Sequence, residues 1–316
     1  MSTHQKAINS PFDAFTTAAE VVKGHDLSGK TAIVTGGYSG LGIETVRALS
    51  SIGADVIVPA RDPQRAKAAL AGFDRVVVET MDLTDRASIE HFARRIIEQG
   101  HRLSILINSA GVMATPLFRD DAGHEGQFST NHLGHFRLVK ALWPALIEAQ
   151  GARVVSVSSR GHQIAGVDFD DLDFLKRPYD RWTAYGQSKT ANALFAVELD
   201  ERGKDAGIRA FSLHPGQILT ELARHLSQED IASFNATDEN GNRRVDPERG
   251  MKTPEQGAAT SVWAAASPLL SDLGGVYLED CNVASVYTGG EDRKGVASYA
   301  VDAEHAKRLW EISEAA

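Results

Sequence analysis

Short apolar runs recur along the chain, separated by longer segments with helical spacing. Thr31–Thr35, Asp55–Pro59, Arg75–Glu79, Leu103–Ile107, Arg153–Val157 and Ile208–Leu213 are β-rich and largely apolar, as strands buried on both faces are. A shorter run, Val276–Leu278, follows near the end. Ile43–Ser51, Asp85–Gln99, Glu125–Ala149, Thr183–Arg202 and Glu255–Ala266 read as the intervening helices, and Ala300–Ser313 as a terminal one. Strict alternation of strand and helix predicts an α/β protein with a Rossmann-type, doubly wound parallel sheet. The expected domain spans 29–316, preceded by an N-terminal extension, 1–28, in which Phe12–Lys23 is expected to form a short amphipathic helix. Gln217–Lys252 is polar, with Asn240-Gly241 as a turn, and reads as a mobile insertion on the substrate side.

Between the first strand and its helix lies Gly36-Gly37-Tyr38-Ser39-Gly40-Leu41-Gly42. Glycines there let the backbone turn tightly and approach a pyrophosphate, which would rest on the N-terminus of the next helix. The spacing is T-G-x-x-x-G-x-G rather than G-x-G-x-x-G. After the second strand come Arg61 and Asp62. An acid at this point hydrogen-bonds the 2′-hydroxyl of NAD, and an arginine accommodates the 2′-phosphate of NADP. Arg61 comes first and favours NADP(H) over NAD(H), while Asp62 can also cap the helix begun by Pro63.

Tyr185 and Lys189 lie one helical turn apart on one face. A cation beside a phenol favours its ionised form, so the pair could exchange a proton near neutral pH. Gly36, Asp62, Asp82, Asn108, Ser159 and His214 all fall at or just after the carboxyl ends of strands, where parallel sheets bind ligands. His132 and His135 share a helix but have no third ligand in register, so they read as structural. His162 could line the pocket or simply pack beside it.

Composition narrows the class. The chain has 316 residues, 42% hydrophobic and 24% charged, as soluble globular proteins do. A net charge of −9 argues against a nucleic-acid surface. Cys281 is the only cysteine, which excludes an intrachain disulfide or a thiolate metal cluster and fits a reducing cytoplasm. No signal peptide and no membrane anchor are expected, since the apolar runs are too short to span a bilayer.

Taken in order, Thr35-Gly-Gly-Tyr-Ser-Gly-Leu-Gly42, Asp82, Asn108-Ser-Ala-Gly111, Asn131, Ser159, Tyr185-x-x-x-Lys189 and Pro215-Gly216 resemble the short-chain dehydrogenase/reductase family. Asn131-His-Leu-Gly-His-Phe136, Val157-Ser-Ser-Arg-Gly-His162, Lys252-Thr-Pro-Glu-Gln-Gly257 and Glu279-Asp-Cys281 look like the branch of the retinol dehydrogenases and the WW-domain oxidoreductase. Two features depart: Ser109 stands where the family usually has a second asparagine, and the anchor of many retinol dehydrogenases is missing.

The resemblance implies hydride transfer between a nicotinamide cofactor and a small-molecule carbonyl or alcohol. Tyr185 would be proton donor, Ser159 would hold the carbonyl oxygen, and Lys189 would serve phenol and ribose. Asn131 would help position a water behind the lysine. The cofactor would lie against Gly36, Tyr38, Ser39, Gly40, Leu41, Gly42, Arg61, Asp82, Leu83, Asn108, Ala110, Gly111, Tyr185, Lys189, Pro215, Gly216, Ile218 and Thr220. Many relatives pair through the helices that carry Asn131 and Tyr185, so a homodimer or homotetramer is expected. A redox-neutral epimerase or dehydratase is the alternative on the same fold, with the glycine spacing against it. A non-catalytic NADP(H) sensor is another, with the retained Tyr185 and Lys189 against it.

Overall fold

The computed structural model describes residues 5–234, 237, 244–290 and 293–316. Eight strands form one sheet: β1 Thr31–Thr35, β2 Asp55–Ala60, β3 Val76–Thr80, β4 Leu103–Asn108, β5 Ala152–Val157, β6 Ile208–His214, β7 Val276–Glu279 and β8 Asn282–Val283. Their order is β3-β2-β1-β4-β5-β6-β7-β8, and every pairing is parallel except the last. The order reverses between β1 and β4. Chains leaving these two strands diverge, which opens a crevice at their carboxyl ends.

Helices cover both faces. On one side α1 Ala18–Val22, α2 Gly40–Ser51 and α9 Pro254–Ala266 pack together over a core that includes Val34, Val58, Ile107, Val155, Leu213 and Trp263. On the other, α4 Arg86–Glu98, α6 Gly134–Glu148, α7 Arg181–Gly203 and α10 Ala303–Ala315 bury Ile33, Leu106, Val154, Ala210, Phe92, Phe136 and Trp310. Burying one such large apolar side chain is worth roughly 1.5–3 kcal/mol, which is why strands with Ile and Val pointing to both faces settle in the middle of the stack. Of the short helices, α3 is Pro63–Ala69 and α5 is Gly126–Phe128. Among the described residues no helix is long and apolar enough to cross a membrane.

Three expectations change. Helix α1 covers only Ala18–Val22, because Thr17 and Glu20 form a reciprocal cap that starts it there, and Asp13 holds Phe15 and Thr16 in a turn. The sheet gains the antiparallel edge β8, joined to β7 by the two residues Asp280 and Cys281. The predicted helix over Glu125–Ala149 is interrupted at Ser129–Leu133 by a wider π-helical turn. Inside Gln217–Lys252 the described residues make short helical turns, Glu221–His225 and Pro247–Arg249, and α8 Gln228–Ser233. The Asn240-Gly241 turn lies outside the described residues.

Candidate active site

A cleft of about 910 Å³ opens at the carboxyl ends of the strands. Its floor begins where β1 runs into α2. Gly36 and Gly40 have φ of +67° and +53°, a region that favours glycine. At Gly42 a Cβ would lie 2.2 Å from the Gly36 carbonyl oxygen, so only glycine lets the helix start pack on the turn. Ser39 caps α2 without any side-chain hydrogen bond, whereas Asp62, Asp85, Asp180, Thr253 and Asp302 each close the N-terminus of their own helix. The first N–H groups of α2 thus face the cleft uncapped, and this arrangement suits the pyrophosphate of a dinucleotide.

At the adenosine end Arg61, Asp82 and Leu83 line the cleft. Asp62 is turned away: its Oδ1 accepts the N–H groups of Gln64 and Arg65 at 3.1 and 3.0 Å. Arg65 also lines the cleft, paired with Glu221. Tyr38, Ser39, Leu41, Ala110, Gly111, Pro215, Gly216, Ile218 and Thr220 line the rest of the cleft. Ser109 lines it as well, its N–H donating to Thr35 Oγ1 at 2.9 Å.

Tyr185 and Lys189 project from the second and third turns of α7, and both are buried at the cleft wall. Ser159 follows β5 and caps the turn Arg160–Gln163, its Oγ accepting the Gly161 N–H at 3.0 Å. Ser159 and the Tyr185 phenol are neighbours over Gly161, where a Cβ would lie 2.6 Å from Tyr185 Cε1 and 3.3 Å from Ser159 Oγ. Lys189 Nζ lies 5.8 Å from the centre of the Tyr185 ring and donates to the Val157 carbonyl at 3.0 Å. The neighbouring Ser158 is committed elsewhere, donating to the Lys189 carbonyl at 2.6 Å, which supports Ser159 as the reactive serine.

The electrostatics differ from the sequence expectation of a phenol lowered by Lys189. Burial pushes the Tyr185 phenol up to about 12, and the neighbouring Ser159 only partly offsets this. Burial also draws the Lys189 ammonium down to about 8. Desolvation wins at both groups because both are taken out of water and the ammonium's hydrogen-bond partner is a carbonyl rather than the phenol.

Two site residues named from the sequence stand behind the wall. Asn108 is buried at the end of β4, with neither amide atom hydrogen-bonded. Asn131 sits in the π-helical turn and grips the backbone of Val112: Oδ1 accepts its N–H at 2.8 Å and Nδ2 donates to its carbonyl at 3.0 Å. Nδ2 also donates to Ser188 Oγ at 2.9 Å. This grip holds Gly111 so close that a Cβ there would be 2.9 Å from Asn131 Oδ1 and 3.7 Å from Lys189 Nζ.

His135, His132 and His162 are buried and hydrogen-bonded within the fold. His135 Nδ1 lies 2.9 Å from the Asn131 carbonyl, which can only accept, so Nδ1 carries the proton and Nε2 accepts from Thr35 Oγ1 at 2.9 Å. Thr35 Oγ1 in turn accepts the N–H groups of Ser109 and Ala110. His132 is buried among Phe128, Phe136 and Phe195 and meets Ser313. His162 is fully buried and does not line the cleft; it bonds the Ser159 carbonyl at 2.6 Å and accepts the Ala297 N–H at 3.0 Å.

Sequence reasoning placed the substrate side at the 217–252 insertion but did not single out Trp182. Trp182 packs edge-on against both Tyr185 and Phe234, with ring centres 6.3 and 5.4 Å apart. Met113, Ile164, Leu226 and Ile231 line the same cleft. Asp230 of α8 accepts two bonds from Arg181, in the first turn of α7, at 2.9 Å each.

Comparison with known proteins agrees with this geometry. The family model for short chain dehydrogenase matches residues 30–231. A "Probable oxidoreductase" of Streptomyces antibioticus is 50% identical over 295 residues, covering 90% of this chain and 97% of that protein. Human retinol dehydrogenase 13 is 36% identical over 292 residues, covering 90% of this chain and 83% of its own. Among solved structures, an uncharacterised protein from Mycobacterium paratuberculosis superposes with a TM-score of 0.70 at 32% identity, covering 95% of this chain and 97% of that one.

Proposed function

The chain belongs to the short-chain dehydrogenase/reductase family, and on that premise we propose that it is an NADP(H)-dependent oxidoreductase of the cytoplasm that interconverts a carbonyl and a primary or secondary alcohol. The observation that carries this reading is Tyr185 set beside Ser159 on the cleft wall, with Lys189 buried behind it. When bound, the dinucleotide supplies or accepts the hydride. It would be held by the turn Gly36–Gly42 and the N-terminus of α2, by Arg61 and Asp82 at its adenosine end, and by Pro215, Gly216, Ile218 and Thr220 at the other.

Ser159 Oγ already accepts the Gly161 N–H, so its own proton is available for the substrate oxygen as negative charge develops there. Tyr185 keeps its proton at neutral pH and can donate it to the same oxygen. Lys189 lends positive charge at the back of the phenol. Asn131 acts through Val112 and Gly111, whose backbone it fixes next to Lys189. Trp182 and Phe234 favour a carbonyl flanked by apolar surface.

The test is Tyr185→Phe. The variant is expected to lose about 10²–10⁴-fold in kcat, the usual reach of general-acid catalysis, while NADPH binding stays within about twofold of wild type. A folded Tyr185→Phe protein with wild-type turnover on a working substrate would refute the mechanism.

A further inference from the structure

Beside the cleft lies an ion pair, buried at its lysine and half-buried at its acid, that the chemistry above does not use. Lys252 is 1% exposed, and its Nζ meets Asp280 Oδ1 at 2.5 Å. Its stem runs directly beneath Gly216. A Cβ on Gly216 would lie 2.8 Å from Lys252 Cδ and 3.1 Å from Cγ. The backbone of the two segments is stitched on either side of this contact. Gln217 N donates to the Gly250 carbonyl at 2.7 Å, and Lys252 N donates to the Gln217 carbonyl at 3.1 Å. Gly216 has φ +106° and therefore cannot be replaced by a residue that would fill the space itself. The Pro215–Gly216 turn rests on the aliphatic stem of one lysine.

The acid that holds this lysine sits in an unusual turn. Asp280 and Cys281 join β7 to β8, and both have positive φ, 52° and 54°. A two-residue hairpin of this kind favours Asn-Gly or Asp-Gly, and two non-glycine residues in it store backbone strain. The turn is pinned from outside, since Cys281 N donates to Thr260 Oγ1 of α9 at 3.2 Å. The preceding residue does a parallel task. Glu279 accepts from Arg160 at 3.1 Å, next to Ser159, and from Gly295 N at 2.7 Å. The Arg160 guanidinium also packs on Gly250, where a Cβ would lie 3.1 Å from it. Two adjacent acids at the end of β7 thus hold the two walls of the cleft: Glu279 the serine wall, Asp280 the Pro215–Gly216 wall.

We propose that Lys252, anchored on Asp280, is a positioning residue that sets the height of the Pro215–Gly216 turn against the nicotinamide half of the dinucleotide. The inference rests on the cofactor reading above. Strain at Asp280 is retained because a glycine there would relax the turn but supply no carboxylate for Lys252.

The experiment compares stability with cofactor affinity. Removing one partner alone leaves a buried lone charge, so single variants would confound folding with positioning. The double variant Lys252→Met/Asp280→Gly leaves no such charge, keeps an unbranched stem and relaxes the hairpin. Its Tm is expected within a few degrees of wild type, while its Kd for NADPH by calorimetry rises about tenfold, the effect of losing one fixed contact in a preorganised site. Lys252→Met/Asp280→Asn, which likewise leaves no lone charge but puts no strain-relieving glycine in the turn, is expected to shift Kd in the same direction by about threefold. It keeps the inference testable should the first double variant fail to fold. A folded variant of either kind that binds NADPH as wild type does would overturn the positioning role and leave the proposed function intact. Failure of the wild-type protein to bind either NADPH or NADH would overturn both.

Discussion

The ring of Tyr185 packs closely on Gly161: a Cβ on Gly161 would sit 2.6 Å from Tyr185 Cε1 and 3.3 Å from Ser159 Oγ. The glycine therefore sets how deeply the phenol can retreat and how near it stays to Ser159. Gly161 has no positive φ, so alanine fits the backbone there, and only the contact with Tyr185 objects. Gly161→Ala is expected to fold with a Tm close to wild type and to lose about 10²-fold in kcat, the scale on which a misplacement near 1 Å is felt. Measuring kcat beside thermal unfolding checks it. An unchanged kcat would mean that the phenol's position is not critical to turnover.

Lys189 should set the alkaline limit of carbonyl reduction. Its ammonium is drawn down to about 8 by burial, while Tyr185 is held up to about 12, so the lysine loses its proton first as pH rises. The reduction rate is expected to fall above pH 8 with one proton lost, well before the phenol ionises. Lys189→Arg carries a guanidinium that stays charged, so it should lower the maximal rate yet abolish the limb near pH 8. A pH–rate profile of the two proteins decides this; an identical limb in both would assign it to another group.

The strands, the glycine turn and the Tyr185–Lys189 pair were legible because each is a local pattern: a burial period, a turn chemistry, a one-turn spacing. What escaped is contact between distant segments. His135 and Thr35 are separated by 100 residues, and nothing near either announces the bond that ties α6 to β1. The edge strand β8 follows Asp280-Cys281, which carries no turn signal because the turn is strained. Asn108 and Asn131 share the motif but not the cleft wall, since side-chain direction at a strand end or in a π-helical turn depends on packing rather than spacing. The phenol's raised pKa likewise reflects burial, which a spacing argument for Lys189 did not include.

Buried neutral histidines make the fold sensitive to acid. Burial brings His132 to about 3 and both His135 and His162 to about 4, against 6.5 ordinarily. A histidine depressed in the native state gives stability that is complete above about pH 6.5 and lost as pH falls toward its native value, because the unfolded chain takes up protons the native state refuses. Tm is expected to drop steadily between pH 6.5 and 4. His132→Gln should keep a polar partner for Ser313 while removing the proton uptake, which over the full window is worth roughly 3–4 kcal/mol at most. The slope of unfolding free energy against pH, measured by urea titration, should fall by close to one proton. An unaltered slope would show that His132 does not titrate on unfolding.

Cofactor choice is expected to turn on Arg61. The neighbouring Asp62 is the residue that could accept from a ribose 2′-hydroxyl, but its Oδ1 is occupied by the N–H groups of Gln64 and Arg65 at the start of α3. Arg65 is paired with Glu221, which offsets that acid near the rim. Arg61 lines the same rim and is exposed, so it can meet a 2′-phosphate with several N–H donors. A charge-assisted contact of this kind is worth about 1.5–3 kcal/mol, or roughly 10- to 150-fold. Arg61→Ala is therefore expected to lower kcat/KM for NADPH by at least about tenfold and to leave NADH within about twofold. Asp62→Asn preserves the helix cap and should leave the ratio of the two cofactors unchanged. Because the rim is open to solvent, the preference for NADPH should also weaken as salt is raised from low to physiological levels. Equal losses for the two cofactors in Arg61→Ala would mean that the arginine does not read the 2′-phosphate.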